Sequence, residues 1–234
     1  MISNSPPGTP VTVPGRARMR FAFVGDSGCG KSSVLLRYYR DTFTEAYTPT
    51  QYELFTKTAT LPNPDGSHDD VDLELWDTSG DIQLHQLQLL SYLRWDAVFL
   101  CFSVNSQKQF DRTQTQWLRE IRMNCRDAPV ILVGLKKDLR IGSGVWPPLY
   151  NANLAAAIPS ARACLAAHTH GAVRYMECSA KTGEGVDEIL EEGMRTVFDE
   201  RAADEEAIRM NMQAPPPSAT RRLGTGLGRL FCFS

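Results

Sequence analysis

No stretch of this chain approaches the ~20 apolar residues that a membrane-spanning helix needs. The longest apolar run, Trp95 to Val104, is interrupted by Asp96 and Ser103. An excess of charge is also missing. Twenty-five lysines and arginines face 27 acids, giving a net charge of −2 and a pI of about 6.1. No global basic field therefore draws the chain to nucleic acid, and no nucleic-acid partner is expected. Paired cysteines are lacking too. Cys29, Cys101, Cys125, Cys164, Cys178 and Cys232 show no C-x-x-C spacing and follow no signal-peptide pattern. They read as free thiols of a reduced, cytoplasmic protein. What the chain does have is 234 residues, enough for one domain with tails, and 42% hydrophobic residues to fill its core.

The organisation follows from composition. Residues 1–18 are rich in Pro, Ser, Gly and Thr and poor in apolar surface, so they read as a disordered arm. From Met19 the run RMRFAFVG ends at a glycine and is followed by KSSVLLRYYRDTF, which has helical spacing. Further apolar runs at VDLELWD, DAVFLCFSV, PVILVGL and VRYMECSA alternate with helix-like QTQWLREIRMNC and VDEILEEGMRTVFDE. Strands alternating with helices predict an α/β domain on a mostly parallel sheet, here spanning 19–200. The turn-rich PNPDGSHDD between YELFTKTATL and VDLELWD predicts a hairpin, hence one antiparallel edge strand. Residues 201–234, polar and then Pro-rich, read as a flexible tail.

The strongest chemical signal is Gly25-Asp26-Ser27-Gly28-Cys29-Gly30-Lys31-Ser32, a complete G-x-x-x-x-G-K-[ST] between a predicted strand and a predicted helix. Such glycines let backbone N–H groups curl around phosphate oxygens. Lys31 reaches the β- and γ-phosphates, Ser32 offers its hydroxyl to Mg²⁺, and the helix N-terminus adds its dipole. The competing reading is a glycine-rich turn without a ligand. Asp77, ending VDLELWD, then serves the water shell of Mg²⁺ rather than standing as a solvated turn acid. Lys136 and Asp138 follow a buried strand. There a carboxylate accepts from the N1 and N2 donors of guanine, a pair adenine lacks, and the lysine stem lies along the ring. Residues 177–181, ECSAK, offer backbone N–H groups to guanine O6, chiefly at Ala180.

From about Met19 to Glu200 the chain resembles the Rho family of small GTPases. The resemblance is carried by GDSGCGKS, FTEAYTPTQYELF, WDTSG followed by LLSY, DAVFLCFSV, VGLKKDLR and YMECSAK. It implies a three-layer Ras-like P-loop fold with a six-stranded sheet, binding GTP or GDP with Mg²⁺. Position by position, it implies that Phe43 packs edge-on to guanine and Tyr47 closes over the phosphates. Thr50 ligates Mg²⁺ and binds the γ-phosphate through its N–H. Ser33, Gly80, Ser179 and Lys181 join the nucleotide-binding set. The resemblance further implies a monomer whose switch I (Tyr47–Phe55) and switch II (Ser79–Tyr92) dock protein effectors. Exchange factors, activating proteins and dissociation inhibitors are the regulators it implies, and actin organisation or polarity the process. Residues 140–159 fall where Rho proteins carry a helical insert, but have three prolines and little charge.

Departures from the family pattern cluster around hydrolysis. Hydrolysing members have a water-orienting glutamine at the position of Asp81, usually alanine at Ser79, and glycine at Ser27. An ionised Asp81 can only accept hydrogen bonds, is short, and repels the γ-phosphate. Ser27 adds bulk where an arginine finger worth about 10³–10⁵ in rate enters. The combination resembles the Rnd subgroup, which stays GTP-bound, and predicts a mostly GTP-loaded switch with weak hydrolysis. An ordinary cycling GTPase and a nucleotide-free scaffold are the alternatives, the latter disfavoured by intact Lys31, Ser32, Thr50, Asp77 and Asp138. Leu135 replaces a polar residue that braces the base loop to the phosphate loop, which predicts nucleotide release about 2- to 13-fold faster. At the C-terminus Cys232 is third from the end, so the prenylation box fails. Arg221, Arg222 and Arg229 with Leu223, Leu227, Leu230, Phe231 and Phe233 offer a weak anchor to the inner face of the plasma membrane, strengthened if Cys232 is acylated.

Overall fold

The computed structural model describes residues 16–45, 52–80, 93–140 and 157–213. Strand β1 (Ala17–Gly25) leads into helix α1 (Lys31–Arg40). A hairpin of β2 (Tyr52–Pro62) and β3 (His68–Thr78) follows, then β4 (Ala97–Ser103). A broken helical segment comes next: α2 (Gln107–Arg112), a π-helical turn (Thr113–Trp117) and α3 (Leu118–Asn124). The remainder is β5 (Val130–Leu135), a 3₁₀ turn (Lys137–Leu139), α4 (Ser160–Thr169), β6 (Arg174–Glu177) and α5 (Val186–Gln213).

The six strands form one sheet in the order β2-β3-β1-β4-β5-β6, with β2 antiparallel to β3 and every other pairing parallel. Every residue of β4 and β5 is buried, as expected of parallel strands covered on both faces. On one face Phe21, Phe23 and Phe99 pack with Val34 and Leu35 of α1 and with Ile189, Leu190 and Met194 of α5. Phe23 stacks on Phe99 at 4.6 Å. Gly193 is tolerated inside α5 because a Cβ there would lie 2.6 Å from the Phe99 ring. On the other face Ala22, Val24, Val98, Leu100 and Phe102 meet Phe110, Trp117 and Ile121, with Ala163 and Ala167 of α4.

The boundaries differ from expectation at both ends. Strand β1 begins at Ala17, inside the predicted arm, where Ala17 and Arg18 pair with Val71 and Asp72. The tail predicted flexible from 201 continues as helix to Gln213. RAADEEAIRMNMQ is built of good helix formers, with no glycine, and the first proline comes at 215. Polarity alone does not end a helix. The chain divides after Phe198, with residues from Asp199 forming a unit of their own. Of the insert at 140–159, residues 141–156 lie outside the described residues, as do the arm through residue 15 and the lipid-anchor candidates of the tail.

Candidate functional site

The phosphate-loop motif lies where β1 gives way to α1. Gly25 has φ +146 and runs so close to β4 that a Cβ would stand 2.1 Å from the Cys101 carbonyl oxygen. Lys31, at 5% exposure, folds its ammonium back over the loop, donating to the carbonyl oxygens of Gly25 at 2.7 Å and Asp26 at 3.2 Å. Helix α1 starts at a left-handed Gly30 with no side-chain cap and no acid in its first turn. Its N-terminal N–H groups and dipole are therefore left to an anion. Burial pushes the Cys29 thiol up despite the Lys31 charge. Burial also raises Cys101, and Cys178 to about 12. These cysteines are protonated filler beneath the loop, not nucleophiles.

Around this loop lies a cavity of about 650 Å³. The motif lines it through Ser27, Gly28, Gly30, Lys31, Ser32 and Ser33, and Phe43 with Gly80 forms other parts of the wall. Lys136, Asp138, Ala180 and Lys181 close the remaining side. Lys136 holds a left-handed φ of 60. Asp138 Oδ1 accepts from the hydroxyl of fully buried Ser179 at 2.6 Å, and Lys137 N–H donates to the Cys178 carbonyl at 3.0 Å. The two base-side segments, about 40 residues apart in sequence, are thus bonded into one unit.

The third wall comes from the end of β3. Asp77 is fully buried and pairs in register with Glu53 of β2, and the Thr78 hydroxyl donates to the Phe23 carbonyl at 2.7 Å. Ser79 is 8% exposed. Gly80 presses on the phosphate loop: Ser27 N–H donates to its carbonyl at 3.3 Å, and a Cβ on Gly80 would stand 2.0 Å from the Ser27 nitrogen. Ser32 in the cavity lining and Asp77 at the end of β3 would offer a hydroxyl and a carboxylate, both hard oxygen donors. That set suits Mg²⁺, which takes few protein ligands and shares the rest with phosphate and water. No group of three or more His, Cys, Asp or Glu arranged to hold a metal occurs among the described residues.

Of the residues predicted from sequence, Gly25, Asp26, Cys29, Asp77, Ser79 and Ser179 are not among those that line the cavity. Tyr47, Thr50 and Asp81 lie outside the described residues, as do parts of both switch segments. Two contacts were not anticipated. Leu135, read as a missing brace, is 1% exposed, and the tether between base loop and phosphate loop is carried by its neighbour. Lys136 Nζ donates to the Gly28 carbonyl at 2.8 Å. Lys181 Nζ bonds Glu45 at 3.1 Å across the cavity mouth, joining positions 136 residues apart. No local pattern in the sequence signals either partner.

The family model described as "Ras family" matches residues 20–199. Among curated relatives, the GTP-binding protein rho1 of Schizosaccharomyces pombe is 35% identical over 181 residues, covering 77% of this chain and 87% of its own length. The GTP-binding protein RHO1 of Candida albicans is 35% identical over 185 residues (79% and 90%). The GTP-binding protein RHO2 of Saccharomyces cerevisiae is 37% identical over 179 residues (76% and 88%).

Proposed function

The chain belongs to the Rho family of Ras-type small GTPases and is a Rho-like GTP-binding protein, and from that premise we propose which residues hold the nucleotide and what becomes of it. The phosphates rest on the N–H groups of 28–33 and on Lys31. Ser32 and Thr50 ligate Mg²⁺, with Asp77 acting through water. Asp138 accepts from guanine N1 and N2, the Ala180 N–H meets O6, and Phe43 and the Lys136 stem cover the ring. The observation that carries this assignment is one cavity lined jointly by the phosphate loop, Lys136, Asp138, Ala180 and Lys181. Effectors dock on Tyr47–Phe55 and Ser79–Tyr92, and membrane contact is made by the tail.

The nucleotide held is mostly GTP, because Ser27, Ser79 and Asp81 together disable hydrolysis. Supporting this reading, Ser27 lines the cavity and its N–H donates to the Gly80 carbonyl at 3.3 Å, which sets its side chain on the side an incoming arginine would have to enter. Single-turnover decay of bound GTP is expected to quicken about tenfold or more in Ser27→Gly/Ser79→Ala/Asp81→Gln. Equal rates would sink the proposal. The second reading, ordinary cycling under regulators, draws on the 35% identity to rho1 proteins of two fungi. The nucleotide released from freshly purified protein separates the two: GTP for the first, GDP for the second.

The Lys136 tether bears on residence time. One net hydrogen bond is worth about 0.5–1.5 kcal/mol, so Lys136→Ala should speed release of a fluorescent GDP analogue about 2- to 13-fold. Leu135→Asn should give no comparable slowing, because its amide would enter an apolar cluster where the tether already exists. A stopped-flow rate unchanged by Lys136→Ala would remove the tether from the account.

A further inference from the structure

Asp26 sits within the phosphate loop, yet its carboxylate is bonded into the protein rather than lining the cavity. The residue is 5% exposed, and one helical segment holds both carboxylate oxygens. Trp117 Nε1 donates to Oδ1 at 2.6 Å, and Arg112 Nη1 donates to Oδ2 at 3.1 Å. Gln109, on the same segment, donates through Nε2 to the Ser27 carbonyl at 3.4 Å and accepts from Ser103 N–H at 2.9 Å. Arg112 is itself steadied by Nε donating to Gln116 Oε1 at 2.9 Å.

An irregular turn makes this convergence. Five residues of α-helix turn through about 500°, which would leave positions 112 and 117 about 140° apart. Thr113–Trp117 is instead π-helical, with the Leu118 N–H bonded to the Thr113 carbonyl. Closure over five residues brings i and i+5 nearly over one another. Arg112 and Trp117 therefore meet the same carboxylate.

The two donors do different work. Trp117 is uncharged and fully buried, so it orients Asp26 without cancelling its charge. Among the described residues Arg112 is the one cation paired with that carboxylate. A buried carboxylate left without a counter-charge in the loop would repel an anionic ligand resting on the same backbone, in a setting where water screens poorly.

We propose that Arg112 is a positioning residue of the nucleotide site: by pairing with Asp26 it cancels the charge that the phosphate loop would otherwise set against bound phosphates, and fixes the Asp26 carboxylate in place. This rests on the guanine-nucleotide reading above. Arg112 acts through Asp26 and touches no ligand itself, and its side chain is about one-third exposed, so its replacement leaves the core intact.

The test uses the full chain with Mg²⁺ and fluorescent GDP and GTP analogues, read as Kd and release rate. Arg112→Gln is expected to weaken binding about tenfold, more for the GTP analogue because it carries the additional charge. Arg112→Lys should retain most of the affinity. Asp26→Asn/Arg112→Gln should return to within about threefold of the parent, because the amide still accepts from Trp117 and no charge remains to be cancelled. Arg112→Gln without effect overturns the inference. So does a double variant as weak as the single one, which would make Arg112 a packing residue. A parent protein that binds neither analogue overturns the nucleotide reading itself, an outcome distinct from both.

Discussion

Lys31→Ala is expected to abolish guanine-nucleotide binding at micromolar concentrations. Lys31 is a buried residue, 5% exposed, and its ammonium bonds the carbonyls of Gly25 and Asp26. These two bonds aim the charge into the cavity before any ligand arrives, so little side-chain entropy is lost on binding. Two charge-assisted bonds to phosphate, each worth about 1.5–3 kcal/mol, sum to about 3–6 kcal/mol, or about 10²- to 10⁴-fold in Kd. Titration of a fluorescent GDP analogue measures the loss, and a thermal melt of the ligand-free variant controls for folding. A Kd within tenfold of the parent would mean that Lys31 serves the loop's shape and not the phosphates.

Asp138→Ala should act on selectivity rather than on phosphate affinity. The carboxylate lies beside the cavity with one oxygen fixed by the Ser179 hydroxyl at 2.6 Å, which leaves its other oxygen and remaining lone pairs for a ligand. A site built to pair a substrate's N–H groups rejects an analogue lacking them because its own polar atoms are then stranded. Removing the carboxylate ends that penalty against adenine and also forfeits the guanine bonds. The preference for GTP over ATP in competition is expected to fall about 10²-fold or more. Ser179→Ala, which removes only the orienting bond, should cost a few-fold. If ATP competes no better in Asp138→Ala than in the parent, guanine is being read elsewhere.

Much of this molecule was legible from residue order. β4 and β5 show as unbroken apolar runs because strands covered on both faces have no polar side to display. The hairpin was marked by its turn residues, and the pairing of Pro62 with His68 places the turn there. The drop in hydrophobicity after Glu200 predicts a helix end there, whereas backbone propensity carries α5 on to Gln213. Leu135 shows a different failure. The sequence pattern exposed the lost brace, but that Lys136 reaches the Gly28 carbonyl depends on how two loops approach in space.

Residue order is enough for the fold class, the strand–loop–helix succession from Met19 onward and the chemical kinds of group at the site. Those depend on contacts a few residues long and on apolar periodicity, which chain order encodes directly. Folding in three dimensions is what brings Asp26 to Arg112 and Trp117, 86 and 91 positions away, Lys181 to Glu45, and Gly80 onto Ser27. Such contacts arise where strand ends of one sheet converge. Their partners are chosen by sheet order and by a single π turn, neither of which leaves a period or a spacing in the sequence.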